Sequence, residues 1–169
     1  MQKVLWFGPV LGALLAATAA QAQPTVQNPL PVIKTYGAVG GWTIMAATVE
    51  GQHMACSAAP PGEAGTRAAF ESTSEGLTVL VATATKGAEG DESKGSYDID
   101  GKVTRVPFYR RENDRIMGFL KEPHAKQLAA GKAKTMTVTV GSEKTVLPLE
   151  GVAAALSKAN RCNDREGKP

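Results

Sequence analysis

Two cysteines, Cys56 and Cys162, stand 106 residues apart behind an N-terminal stretch built like an export leader, so a bond between them would tie the early and late parts of any fold together. The leader is read from Lys3 in a short positive start, an apolar run from Val4 to Ala17, and the close Ala20-Gln21-Ala22. An apolar run of about 14 residues, containing Gly8, Pro9 and Gly12, falls short of the roughly 20 that a bilayer-spanning helix needs. Residues 1–22 are therefore expected to be a signal peptide, with the mature chain starting at Gln23. No Cys follows the cleavage site, so no lipid anchor is expected, and no later run is apolar enough for a transmembrane segment. Such a chain reaches an oxidising compartment, periplasmic or secreted, where an even pair of cysteines forms a disulfide. In the chain-entropy account, closing a loop of that length stabilises the fold by roughly 4–5 kcal/mol. A redox role would require a nearby second thiol, as in C-x-x-C, and neither cysteine has one.

Residues 23–169 have the size of one domain. A formal charge of +3 is too mild to point to nucleic acid. Residues 23–40, with Pro24, Pro29, Pro31, Gly37 and Gly40, read as an extended N-terminal arm, and residues 41–169 as a single β-rich domain. A first hairpin is expected from Trp42–Val49 and His53–Ala58 around Glu50-Gly51-Gln52. Thr66–Ser72 and Leu77–Thr85 flank a turn at Ser74–Gly76, and the second of these is the most strand-like run in the chain, suited to a central position. Residues 86–95, rich in glycine and charge, read as an exposed loop. Asp100-Gly101 favours a tight turn pairing Ser96–Ile99 with Lys102–Phe108, and Pro107 should confine the latter strand to an edge or end it near Val106. Arg115–Leu120, Lys134–Val140 and Lys144–Leu149 complete the strands; Met136, Val138 and Val140 alternate with threonines as in a half-buried antiparallel strand. Helices are expected from about Pro123 to Ala130, stopped by Gly131, and from Glu150 to Ala159, with Val152, Leu156 and Ala159 on one face. The expected fold is mainly β: an antiparallel β-sandwich or curled sheet with two short helices.

Chemistry is sparse in this pattern. His53 and His124 lie far apart and no Gly-x-Ser-x-Gly elbow accompanies them, so surface or capping roles suit them better than hydrolysis. Three protein ligands for zinc would have to be gathered from these two and scattered carboxylates. Asp98-Ile99-Asp100-Gly101 resembles only the opening of a calcium loop and is explained by a hairpin turn. Glu89, Asp91 and Glu92 are offset by Lys86 and Lys94 in a solvated loop. No catalytic residue, metal or cofactor is expected. The densest cationic cluster is Arg105, Arg110, Arg111 and Arg115, interleaved with Phe108 and Tyr109, a composition enriched at protein contact surfaces. These six form the candidate partner-binding surface, with ion pairing to Glu112 and Asp114 as the plainer reading. Trp42 is expected in the core.

The mature sequence resembles the invasion-associated locus B family of exported proteins of Gram-negative bacteria. The likeness is carried by Gly41-Trp42, the strand at Cys56, Ile99-Asp100-Gly101, Val106-Pro107-Phe108, Leu128–Lys132, and most closely by Val146-Leu-Pro-Leu149 running into Gly151–Leu156. The family carries further cysteines after the tryptophan and after the Pro-Phe strand, where this chain has none. The resemblance implies a small periplasmic or secreted β-rich domain linked to host-cell invasion, without an enzymatic site. It is consistent with a non-enzymatic protein acting by surface binding to another envelope or host protein. A periplasmic inhibitor or immunity protein, plugging a toxin or hydrolase cleft with a loop such as Ala88–Gly95, is the alternative.

Overall fold

The computed structural model describes residues 29–112 and 114–168. The expected signal peptide, residues 1–22, and the first residues of the expected arm lie outside the described residues. Ten strands form one antiparallel sheet: β1 (Val32–Val39), β2 (Trp42–Val49), β3 (Gln52–Ala59), β4 (Ala68–Thr73), β5 (Gly76–Ala82), β6 (Glu92–Ile99), β7 (Lys102–Glu112), β8 (Arg115–Phe119), β9 (Thr135–Val140) and β10 (Glu143–Pro148). Their order is β1-β2-β3-β4-β5-β8-β7-β6-β9-β10, so β1 and β10 are the edges of an open, curled sheet. Three helices accompany it: α1 (Glu63–Arg67), α2 (Glu122–Ala129) and α3 (Val152–Asp164).

Local chemistry explains most of these elements. Glu50 and Gly51 close the β2–β3 hairpin at φ 51° and 81°, and Asp100 and Gly101 close β6–β7 at 50° and 88°, the double positive-φ turn that matches strand twist. The Asp100 carboxylate also accepts the amides of Lys134 and Thr135, at 3.0 Å each, tying this turn to the start of β9. These donors hold its carboxyl below the usual carboxylate range.

Alternation gives the sheet an inner and an outer face. The inner face carries Trp42, Ile44, Phe70, Val79, Tyr97, Ile99, Phe108, Met136 and Leu147, and α3 covers it with Val152, Ala155, Leu156 and Ala159. Trp42 is fully buried and its indole N–H donates to the Glu150 carbonyl at 2.6 Å, anchoring the turn that launches α3. Cys56 and Cys162 form the disulfide, with Cα atoms 6.0 Å apart. Asn163 latches the same end of the helix: its Oδ1 accepts the Cys56 amide at 2.7 Å and its Nδ2 donates to the Ser72 carbonyl at 3.1 Å.

Several sequence expectations need correction. Residues 32–39, read as arm, form β1, because pairing with β2 satisfies their backbone groups along one edge. The run from Thr66 starts one element later: Gly62 opens the short helix α1 with φ 67°, and the strand begins at Ala68. Cys162 lies within α3, which runs on to Asp164, instead of following a helix that stops at Ala159. Strand β7 passes through Pro107 and lies between β6 and β8. The proline is tolerated because β8 pairs only with Phe108–Glu112, so at Pro107 the strand has a partner on one side alone. Residues 92–95 of the expected loop belong to β6.

Candidate functional site

The six residues of the candidate surface do not lie together. Within β7 the side chains alternate, so Phe108 and Arg110 point inward while Arg105, Tyr109 and Arg111 point outward. Phe108 is fully buried, its ring lying where side chains at Gly95 and Gly118 would stand. Two glycines on the strands beside it make that space. Arg110 is 6% exposed and donates to the Thr85 carbonyl at 2.9 Å. Its backbone accepts the Gly90 amide and donates to the Asp91 carbonyl, which fixes the 83–91 loop against β7. Glu143 secures the other arm of that loop through Thr83 Oγ1, the Ala84 amide and Thr85 Oγ1, and these donors lower its carboxyl pKa. Phe108 and Arg110 are therefore structural and are withdrawn from the contact surface. Alternation within the strand was the available signal, and the expectation that the strand ended near Pro107 concealed it.

A cavity of about 700 Å³ occupies the outer face of the first half of the sheet. Its floor is the outward row of β2 to β5: Met45, Ala47 and Val49, then Ala55 and Ser57, then Ala69 and Glu71, then Leu80. Pro29, Leu30 and Pro31 bound it ahead of β1, and Gly87 and Glu89 contribute from the loop. Arg111, Glu112 and Arg115 line the remaining side. A register shift between Arg110 and Glu112 bulges the strand at Arg111, re-aiming side chains toward the outer face. Of the six expected residues, only Arg111 and Arg115 reach this cavity.

The polar centre of the floor is Glu71. Its side chain is 8% exposed, and Arg111 Nη1 stands 3.7 Å from its Oε1. Burial pushes its carboxyl pKa up, the Arg111 charge opposes that shift, and Glu112 adds to it. Arg115 makes a looser pair with Glu112 at 3.9 Å, both groups being substantially exposed. Such surface pairs contribute little to stability.

The histidines occupy supporting positions. His124 Nδ1 is 2.9 Å from the Tyr97 hydroxyl, which also accepts the Lys121 amide at the start of α2. His53 Nε2 is 3.2 Å from Asn163 Oδ1, within the latch at the end of α3. Asp98 accepts the Gly101 amide inside its own hairpin, so the two aspartates that suggested a calcium loop are engaged in turn formation. Among the described residues, no three of His, Cys, Asp or Glu gather as a metal site, and no helix is long and apolar enough to cross a membrane. No family model, no curated protein and no solved structure matches the chain.

Proposed function

We propose that this is an exported, non-enzymatic binding protein of the invasion-associated locus B type, which captures its ligand in the groove on the outer face of β2–β5. One observation carries the reading: an outward strand face that would ordinarily be polar is instead Met45, Ala47, Val49, Ala55, Ala69 and Leu80, and it is concave. Exposed Ile33 and Met54, at 56% and 57%, extend it toward the edge of the sheet. A contiguous apolar concavity with a few charged groups is the usual form of a ligand site. The disulfide supports export, since such bonds persist outside the reducing cytosol.

The full chain should yield a product whose intact mass begins at Gln23. A neutral apolar fluorophore, N-phenyl-1-naphthylamine, should bind this product saturably. Met45→Lys should abolish binding, whereas Ser96→Lys, on the outward face of β6, should leave it unchanged. Binding that ignores Met45→Lys, or no binding at all, rejects the groove as the site.

A further inference from the structure

We propose, resting on the reading of the groove as a ligand site, that its ligand is a single-chain zwitterionic amphiphile, with a primary ammonium placed on Glu71, an anionic group on Arg111, and the tail along Met45 and its neighbours.

The protein leaves hydrogen-bonding capacity open at the charged end of the groove. Glu71 is more than nine-tenths buried in its side chain, yet its carboxylate accepts no hydrogen bond from the described residues. Arg111, at 3.7 Å, is beyond hydrogen-bonding distance, so the pair is ionic and loose. The side chain is largely desolvated, no described residue donates to it, and it lines the cavity, where a ligand's donors can reach it. Arg111 is similarly under-used: Nη1 donates to the thioether of Met117 at 3.7 Å, a weak acceptor. A ligand that brings N–H donors to Glu71 and acceptor oxygens to Arg111 would satisfy both, and the two charges, adjacent and opposite in sign, call for a head with both charges adjacent. A purely cationic head would meet Arg111, and a purely anionic one would meet Glu71.

The tail position follows from register. Met45 pairs with Ser57, and Ser57 with Glu71, so the three lie in one row across β2, β3 and β4. At about 4.8 Å per strand, Met45 stands about 10 Å from Glu71 along the floor. The apolar path therefore begins beside the charged pair and runs toward Met54 and Ile33 at the open edge. Methionine is suited to this role because its flexible thioether fits chains of varied shape.

The test uses lauroyl lysophosphatidylethanolamine, its phosphocholine counterpart and dodecyl sulfate, each as monomer below its micelle threshold, titrated into protein carrying methyl-labelled methionine. The signals of Met45 and Met54 should shift saturably with the ethanolamine lipid, while Met136, fully buried on the inner face, should stay in place as the internal reference. The choline head keeps both charges and lacks N–H donors, so it should bind about tenfold more weakly, the order expected for one charge-assisted hydrogen bond. Glu71→Gln should remove that preference, with the Met136 signal reporting whether the variant is folded. Equal affinity for the two zwitterions in the unaltered protein overturns the proposal without any variant, as does tightest binding by dodecyl sulfate. If none of the three binds and the neutral fluorophore still does, this assignment falls and the groove stands; if the fluorophore fails too, both fall.

Discussion

The outer face of the sheet has two unlike regions. Over β6, β9, β10 and the first part of β7 it is mostly Lys94, Ser96, Asp98, Arg105, Thr137, Thr139 and Lys144, with Val103, Pro107, Val146 and Pro148 as the apolar exceptions and Asp98 and Thr137 between the two valines. Over β2 to β5 it is mostly methionine, alanine, valine and leucine, with Ser57 and Thr78 in the row of one buried carboxylate, Glu71. Both regions belong to one antiparallel sheet whose inner face packs into one core, so the fold alone requires no difference between them. The polar region is what a solvated sheet face needs; the apolar one costs solubility and persists for another reason. Two carboxylates register the contrast. Asp100, exposed and surrounded by backbone donors, has a lowered pKa, whereas Glu71, desolvated and without donors, has a raised one.

The largest test of this contrast is the disulfide. Replacing both cysteines by serine should remove on the order of 4–5 kcal/mol in denaturant unfolding. Because the bond and the Asn163 latch hold α3 against β3 and β4, hydrogen exchange in β2–β4 should accelerate before that in β6, β7 and β9. Uniform acceleration would show that the two regions open as one unit.

Phe108→Ala comes next, with an expected loss of about 3–5 kcal/mol for an emptied aromatic site between two glycines. Gly95 and Gly118 beside the ring carry no side chains to fill that space, and thermal unfolding measures the cost directly.

A smaller effect separates the carboxylates by pH. Asp100 has its folded pKa below the ordinary 3.8, so its contribution is present above that value and is lost as pH falls through the folded pKa. Asp100→Asn should therefore lower Tm at neutral pH and match the parent protein in strong acid. Glu71 is reversed: with its folded pKa above 4.5, its contribution is present below 4.5 and is lost as pH rises through the folded value. Relative to the parent protein, Glu71→Gln should gain stability as pH rises across that window. Parallel Tm profiles for the two variants would erase the distinction. The smallest expected effect is that of Arg105→Ala on the polar region, within about 0.5 kcal/mol and without change in fluorophore binding.

Much of the fold was legible because its signals are local. Asp100-Gly101 and Glu50-Gly51 mark hairpins through the positive φ they tolerate, the alternation around Met136 and Val138 marks a half-buried strand, and Glu122-Pro123 marks the start of α2. Pro107 misled because a proline's cost in a strand depends on whether a neighbour needs its missing N–H, and that neighbour, β8, is placed by register beyond the reach of sequence spacing. The candidate surface was misread for a related reason. Arg110 and Arg111 are adjacent in sequence, yet one is spent inside on the 83–91 loop and the other lines the groove.

By itself the sequence determined a single cysteine pair and a chain of short antiparallel strands, because capping, turn geometry and two-residue periodicity act over a few neighbours. Only the tertiary structure decided which outward faces meet, since the groove is assembled from the same side of β2, β3, β4 and β5 and from arginines some 40 residues further along the chain, brought there by strand order and one bulge. Contacts of that range leave no local trace in the residues that make them.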